Sequence, residues 1–255
     1  METKKPLIGI LGGMGPQAGL DLSAKIIEET RAETDQDHLP VVLFSMPEYV
    51  PNRTDYLLGK TTINPSIELS RQLALMSNLG VTVVGIACNT AHNEPIFDEL
   101  LKCLEDVAPN IRLLNMIDET VAFIRESHPD FSRIGILATR GTYLFRLYDD
   151  RVESAGLVPV LPDESIAMGS LQSAISDPNW GIKSYSNPVT DEAQSAVCEA
   201  IENLREHGAE AVILGCTELP LAVKTDSIQN PIIVDPTRIL ARALIRDVHP
   251  HKLRP

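Results

Sequence analysis

The sequence predicts an α/β fold of two related lobes, each a parallel sheet flanked by helices, with an active site in the cleft between them. Three observations carry this expectation. Short apolar runs alternate with helix-length amphipathic stretches along the chain. The runs are continuously apolar, as strands buried on both faces are. The second half also echoes the first.

The candidate strands are Leu7–Leu11 and residues 41–45, 81–87, 134–138, 158–161, 211–214 and 232–234. Between them, residues 21–34, 65–79, 94–107, 118–127 and 191–207 space their apolar side chains as one-sided helices do, and 236–248 reads as a last helix. The doubling is explicit in two places. Leu79-Gly-Val-Thr-Val-Val-Gly-Ile-Ala-Cys88-Asn-Thr is matched by His207-Gly-Ala-Glu-Ala-Val-Ile-Leu-Gly-Cys216-Thr, and Leu7-Ile-Gly-Ile-Leu by Arg133-Ile-Gly-Ile-Leu. The expected lobes are residues 1–117 and 118–220, with 221–255 returning to the first.

Composition narrows the function classes. The chain has 255 residues, 44% of them hydrophobic and 22% charged, enough for a full core. Its 22 basic and 35 acidic residues give a net charge of −13, which disfavours nucleic acid and anionic membranes as partners. An anionic substrate would need positive charge gathered locally. No run approaches the roughly 20 apolar residues of a membrane span. Residues 1–5 form a short charged start, and the apolar run after them is too short for a signal-peptide core. Four cysteines in this length do not make a disulfide framework, which fits a cytoplasmic protein with free thiols.

Cys88 and Cys216 each stand at the carboxyl end of a predicted parallel strand, the sheet edge where ligands bind. A helix or turn starting there would offer backbone N–H groups that favour a thiolate. Buried cysteines are commonly packing residues, and Cys103 and Cys198, inside amphipathic helices, read that way. Two cysteines at matching positions, each followed by small polar residues, instead suit a two-base reaction. One thiolate removes a Cα proton while the other thiol delivers one to the opposite face. Asn89, Thr90 and Thr217 are suitable donors to the developing carbanion.

Other signals carry less. Residues 12–19, Gly-Gly-Met-Gly-Pro-Gln-Ala-Gly, follow a strand but are spaced one residue too long for a dinucleotide fingerprint. They read as a tight turn whose backbone N–H groups, that of Met14 included, face the substrate. His92 either biases the Cys88 thiolate or is structural, and Glu218 either orients Cys216 or caps its helix. Metal binding is not expected, because no C-x-x-C or H-x-x-x-H spacing occurs. A serine-hydrolase elbow is absent too.

At Cys88-Asn-Thr-Ala-His92 and Gly215-Cys216-Thr-Glu218 the chain resembles the aspartate/glutamate racemase family, its aspartate branch in particular. The likeness extends over Leu11-Gly-Gly-Met-Gly-Pro16, residues 51–60 (Pro-Asn-Arg-Thr-Asp-Tyr-Leu-Leu-Gly-Lys), Leu137-Ala-Thr-Arg-Gly-Thr142, Gly181-Ile-Lys183 and Val234-Asp-Pro236. The resemblance implies cofactor-independent racemisation of aspartate or a related acidic amino acid, with Cys88 and Cys216 as acid and base. It implies that Arg53 holds a substrate carboxylate and that Lys183 is the lysine of the second lobe. Asn52, Thr54, Ala91 and Thr139 fall in its substrate-contacting motifs, and a homodimer is expected. Gly13-Met14 stands where glutamate racemases carry Asp-Ser, and Glu218 where they carry His, which favours the aspartate branch. Asn52 replaces a common Asp, and residues 176–190 form a longer loop around Lys183. The competing classes are a decarboxylase or cis–trans isomerase on the same scaffold, and a non-catalytic amino-acid-binding protein.

Overall fold

A computed structural model of the chain describes residues 6–223, 228 and 230–255, so the charged start at 1–5 lies outside the described residues. The chain divides into two units, residues 1–116 with 237–255, and residues 117–236.

In the first unit the apolar runs form β1 (Leu7–Leu11), β2 (Val41–Phe44) and β3 (Val81–Ile86), joined by a fourth strand, β4 (Arg112–Leu114). All pair in parallel, in the order β2-β1-β3-β4. The helices are α1 (Gln17–Glu29), α2 (Arg53–Leu57), α3 (Ser66–Asn78) and α4 (Glu94–Val107). Alternate strand residues feed two cores, as a sheet covered on both faces requires. Ile8, Ile10 and Val83 pack with Leu22 and Ile26 of α1 and with Leu240 and Leu244 further along the chain. Leu11, Val84 and Ile86 pack with Leu69 and Leu73 of α3 and Ile96 and Leu100 of α4.

The second unit opens with α5 (Met116–Ser127) and repeats the plan. Its strands β5 (Arg133–Ala138), β6 (Val158–Val160), β7 (Ala211–Gly215) and β8 (Ile232–Val234) run parallel in the order β6-β5-β7-β8. Between them lie α6 (Arg140–Leu144), α7 (Asp149–Ser154), α8 (Leu171–Ser176), α9 (Asp191–Glu206) and α10 (Leu219–Ala222). Leu137, Val212 and Leu214 pack against Leu171 and Ile175 of α8 and Val197, Ile201 and Leu204 of α9. The Thr190 hydroxyl caps α9, accepting the Ala193 N–H at 3.2 Å, and acidic Asp191 and Glu192 suit its first turn.

The return of the chain differs from the expectation that residues 221–255 rejoin the first lobe. Strand β8 stays in the second sheet, hydrogen-bonded to β7, and the return begins at Thr237 with α11 (Pro236–Val248). Helix α11 is tied to α1 by ion pairs of Arg238 and Arg242 with Glu29, at 2.6 and 2.5 Å. Burial works against the Glu29 charge, but the two guanidinium groups win and hold its carboxyl below the usual range. Strand β4 has no counterpart among the predicted runs. It is three residues long and begins with exposed Arg112, paired with Asp247. Helix α1 starts earlier than the predicted 21–34 because Pro16 already has helical backbone angles and serves as its N-cap. Among the described residues, no helix is long and apolar enough to cross a membrane.

Candidate active site

Strand order places the chemistry. In a 2-1-3-4 sheet the connections change direction between the first and third strands, and the crevice at their carboxyl ends is the ligand site of open α/β sheets. In the first unit β1 and β3 are neighbours, with Leu11 opposite Ile86. The Gly-rich loop and Cys88 therefore emerge side by side. In the second unit Ala138 of β5 lies opposite Gly215 of β7, which sets Thr139 beside Cys216.

Cys88 is buried, in extended backbone after the turn that ends β3. Its N–H donates to the Ile86 carbonyl at 2.8 Å, and its own carbonyl accepts the Ala91 N–H at 3.3 Å. The same carbonyl lies 2.9 Å from His92 Nδ1. A carbonyl only accepts, so Nδ1 carries the proton. The ring is buried and stacked on Phe97 with centroids 5.1 Å apart. Burial pulls its pKa down to about 4, against a smaller opposing effect of nearby backbone groups. Neutral His92 thus clamps the turn through the Cys88 carbonyl. Asn89 and Ala91 are buried in that turn and Thr90 is half-buried, its carbonyl accepting from the Asn93 side chain at 3.1 Å.

The loop after β1 is pressed onto α1. A methyl group on Gly19 would strike the Gly12 carbonyl, and Gly12 itself adopts φ +97°, so both positions call for glycine. Arg53 reaches this loop. Its Nη2 donates to the Met14 carbonyl at 2.9 Å and its Nη1 to the Pro51 carbonyl at 3.3 Å, while its buried Nε has no hydrogen-bond partner. Among the described residues no carboxylate lies within ion-pair distance of Arg53. Asn52 acts locally. Its Oδ1 caps α2, accepting the N–H groups of Thr54 and Asp55 at 2.9 and 3.2 Å.

Cys216 follows β7 directly and is buried. Its Sγ donates to Glu218 Oε2 at 2.9 Å, and the Thr217 hydroxyl reaches the same oxygen at 3.4 Å. Burial pushes the Cys216 thiol well above its ordinary value, the Glu218 charge pushes it further, and the Lys183 ammonium pulls the other way. This corrects the expectation of a thiolate favoured by a helix start. Cys216 is followed only by the four-residue α10.

Lys183 is exposed, and its charge is felt at Cys216. Its N–H donates to the Ile175 carbonyl at 3.1 Å and that of Ile182 to Ala174 at 2.8 Å, which anchors the long loop to the end of α8. The Thr139 hydroxyl caps α6, accepting the Thr142 N–H at 3.4 Å.

Two tyrosines escape a reading of the sequence. Tyr143 donates to the Ile136 carbonyl at 3.0 Å and accepts the Ala138 N–H at 3.0 Å, closing the end of β5. Tyr148 is fully buried, hydrogen-bonded to Thr120, and a methyl group on Gly215 would come within 3.1 Å of its ring. Burial raises both phenols, and both interact electrostatically with Cys216. Both therefore stay uncharged. Tyrosine is scarce here, five in the chain, and its clustering just after β5 is the signal that could have found them. All four cysteines are free, Cys103 half-buried in α4 and Cys198 exposed on α9. Among the described residues no group of three or more His, Cys, Asp or Glu side chains is placed to hold a metal.

Two parallel α/β units of one strand order, each bringing a buried thiol to its crevice, define a duplicated fold with a cysteine at the same topological point of each half. Comparison with known proteins assigns the lineage: residues 11–244 match the Asp/Glu/hydantoin racemase family model, and the chain belongs to that family. It is 25% identical over 248 residues to the broad specificity amino-acid racemase RacX of Bacillus subtilis, covering 94% of this chain and 96% of that one. Among solved structures it is similar to the aspartate racemase of Picrophilus torridus, with TM-score 0.76, 27% identity, and 95% and 94% of the two chains covered. An aspartate racemase homologue from Pyrococcus horikoshii shares the fold, with TM-score 0.72, 23% identity, and 96% and 99% covered.

Proposed function

We propose that the protein racemises aspartate or a related acidic amino acid without a cofactor, Cys88 and Cys216 serving as the two acid/base groups. The observation that carries this reading is the equivalence of the two thiols. Each is buried in the turn after the third strand of a 2-1-3-4 sheet. Family membership and the names of its relatives support it.

The reaction breaks the Cα–H bond on one face and forms a new one on the other. In one direction a cysteine thiolate takes the proton while the opposite thiol gives its own. The Cα–H is a weak acid, so the site must stabilise negative charge spreading into the carboxylate. Arg53 suits this, because its planar fork pairs with carboxylates and no protein carboxylate within the described residues competes for it. Lys183 supplies a second cation, suited to a dicarboxylate. Backbone and hydroxyl donors at Met14, Asn52, Thr54, Asn89, Thr90, Ala91, Thr139 and Thr217 complete the proposed substrate contacts. For Asn52 the capping oxygen is already engaged, which leaves its amide N–H groups for the substrate. A homodimer and a cytoplasmic location belong to the same proposal.

The test is racemisation of each enantiomer by protein without added cofactor, in the intact chain and in Cys88→Ser and Cys216→Ser. Inversion in the intact chain and its loss in both variants supports the reading. Inversion that survives either substitution refutes the two-base mechanism.

A further inference from the structure

We infer that Glu218 is a positioning residue that keeps the exchangeable proton on Cys216 in the resting enzyme, so that the two thiols are unequal and the two hands of the substrate meet different forms of the protein. The inference rests on the proposed racemisation and deepens it.

The geometry is direct. Cys216 Sγ lies 2.9 Å from Glu218 Oε2, and both residues are buried, at 5% and 3% exposure. A carboxylate accepts a hydrogen bond from a thiol, whereas it repels a thiolate at the same distance. The groups that act on Cys216 from other elements do not reverse this. Tyr143 of α6 and Tyr148, just before α7, stay protonated, and Tyr148 also senses Asp235 after β8. Lys183 pulls the other way, but it is exposed and its charge is screened by solvent. The turn after Cys88, Asn-Thr-Ala-His, carries no carboxylate. Its ring, His92, is neutral and bonded to the Cys88 carbonyl.

The consequence follows proton by proton. The proposed reaction uses two forms of the free enzyme that differ in which sulfur carries the exchangeable proton, and Glu218 favours the one with that proton on Cys216. The enantiomer whose Cα–H faces Cys88 loses that proton to the Cys88 sulfur, and the Cys216 S–H bond breaks to protonate the other face. The enzyme left behind carries a Cys216 thiolate against the Glu218 carboxylate, and is the less stable of the two free forms. The opposite enantiomer must bind that minor form, so its apparent affinity is lowered by the minor fraction. Because the two products are mirror images, the equilibrium constant is one and kcat/KM is the same for both hands. The asymmetry therefore appears as kcat and KM rising together for one enantiomer.

The experiment has two readouts. First, ultraviolet thiolate absorbance is titrated against pH in a chain whose Cys88, Cys103 and Cys198 are replaced by Ser, with Glu218 intact, as Glu218→Asp or as Glu218→Gln. The Gln amide can donate to a thiolate, so the acid constant of Cys216 should rise about tenfold or more. Asp should restore part of the difference. Second, kcat and KM are measured for both enantiomers in the intact chain and in Glu218→Gln. The KM ratio between enantiomers should shrink, and the alkaline limb of the pH profile should move down by about one unit. An acid constant that is the same with Glu and Gln overturns the inference. A shifted acid constant in a protein that racemises no amino acid supports the proton-holding role of Glu218 and refutes the racemase reading instead.

Discussion

His92 is the perturbation whose effect can be worked furthest from the structure. Its ring is buried, with Nδ1–H on the Cys88 carbonyl, and burial lowers its pKa to about 4 from an ordinary 6.5. The unfolded chain takes up a proton near the ordinary value, while the folded chain refuses it until about pH 4. Stability from this residue is therefore complete above the ordinary value and is lost as pH falls toward 4. Between neutral pH and about pH 5 the two titrations differ by about 2 kcal/mol. Replacing His92 with Asn retains a donor for the Cys88 carbonyl and removes the titration. The variant also loses the stacking on Phe97, so it should be weaker at neutral pH. Its stability should nonetheless change less between neutral pH and about pH 5, by that same amount of about 2 kcal/mol. Urea unfolding of both proteins at both pH values measures this. An identical loss in the intact chain and the variant would refute the assignment of His92 as a buried neutral clamp.

Other outcomes follow from the site. Arg53→Ala should raise KM for the acidic substrate about tenfold to a hundredfold, the worth of a charge-assisted hydrogen bond, with Arg53→Lys intermediate because it keeps charge but loses the fork. Steady-state kinetics decides, and an unchanged KM in Arg53→Ala would remove it from substrate binding. Tyr143→Phe should cost about 1–3 kcal/mol in chemical denaturation, since it strips partners from the Ile136 carbonyl and the Ala138 N–H at the end of β5. A cost near zero would show that these backbone groups find other partners.

Much of the architecture is legible in the periodicity. Continuous apolar runs at 7–11, 81–87 and 211–214 become two-sided parallel strands because burial on both faces leaves no polar alternation to confuse them. Strand β4 is invisible for the converse reason: a three-residue edge strand with an exposed Arg112 has too little apolar pattern to stand out. The placement of β8 departs from expectation because sequence order does not say which neighbour a short strand pairs with, whereas its hydrogen bonds to β7 do. The cysteines and Arg53 are visible as residue types in repeated or loop contexts. The environment of Cys216 is legible only in Glu218, whose place two residues on suggests either orienting the thiol or capping its helix, whereas Tyr143 and Tyr148 act through burial and distance that spacing alone does not encode. The thiolate expected there gives way because desolvation and a neighbouring carboxylate outweigh a four-residue helix.

The central claim, two-cysteine racemisation of an acidic amino acid, is tested most directly in deuterium oxide. L-aspartate and L-glutamate are incubated with the protein without added cofactor, followed by proton NMR of the α-position and chiral chromatography. The expected result is loss of the α-proton signal together with appearance of the D-enantiomer for at least one substrate. Exchange without inversion would contradict the two-base mechanism, and neither exchange nor inversion on both substrates would contradict the assignment itself.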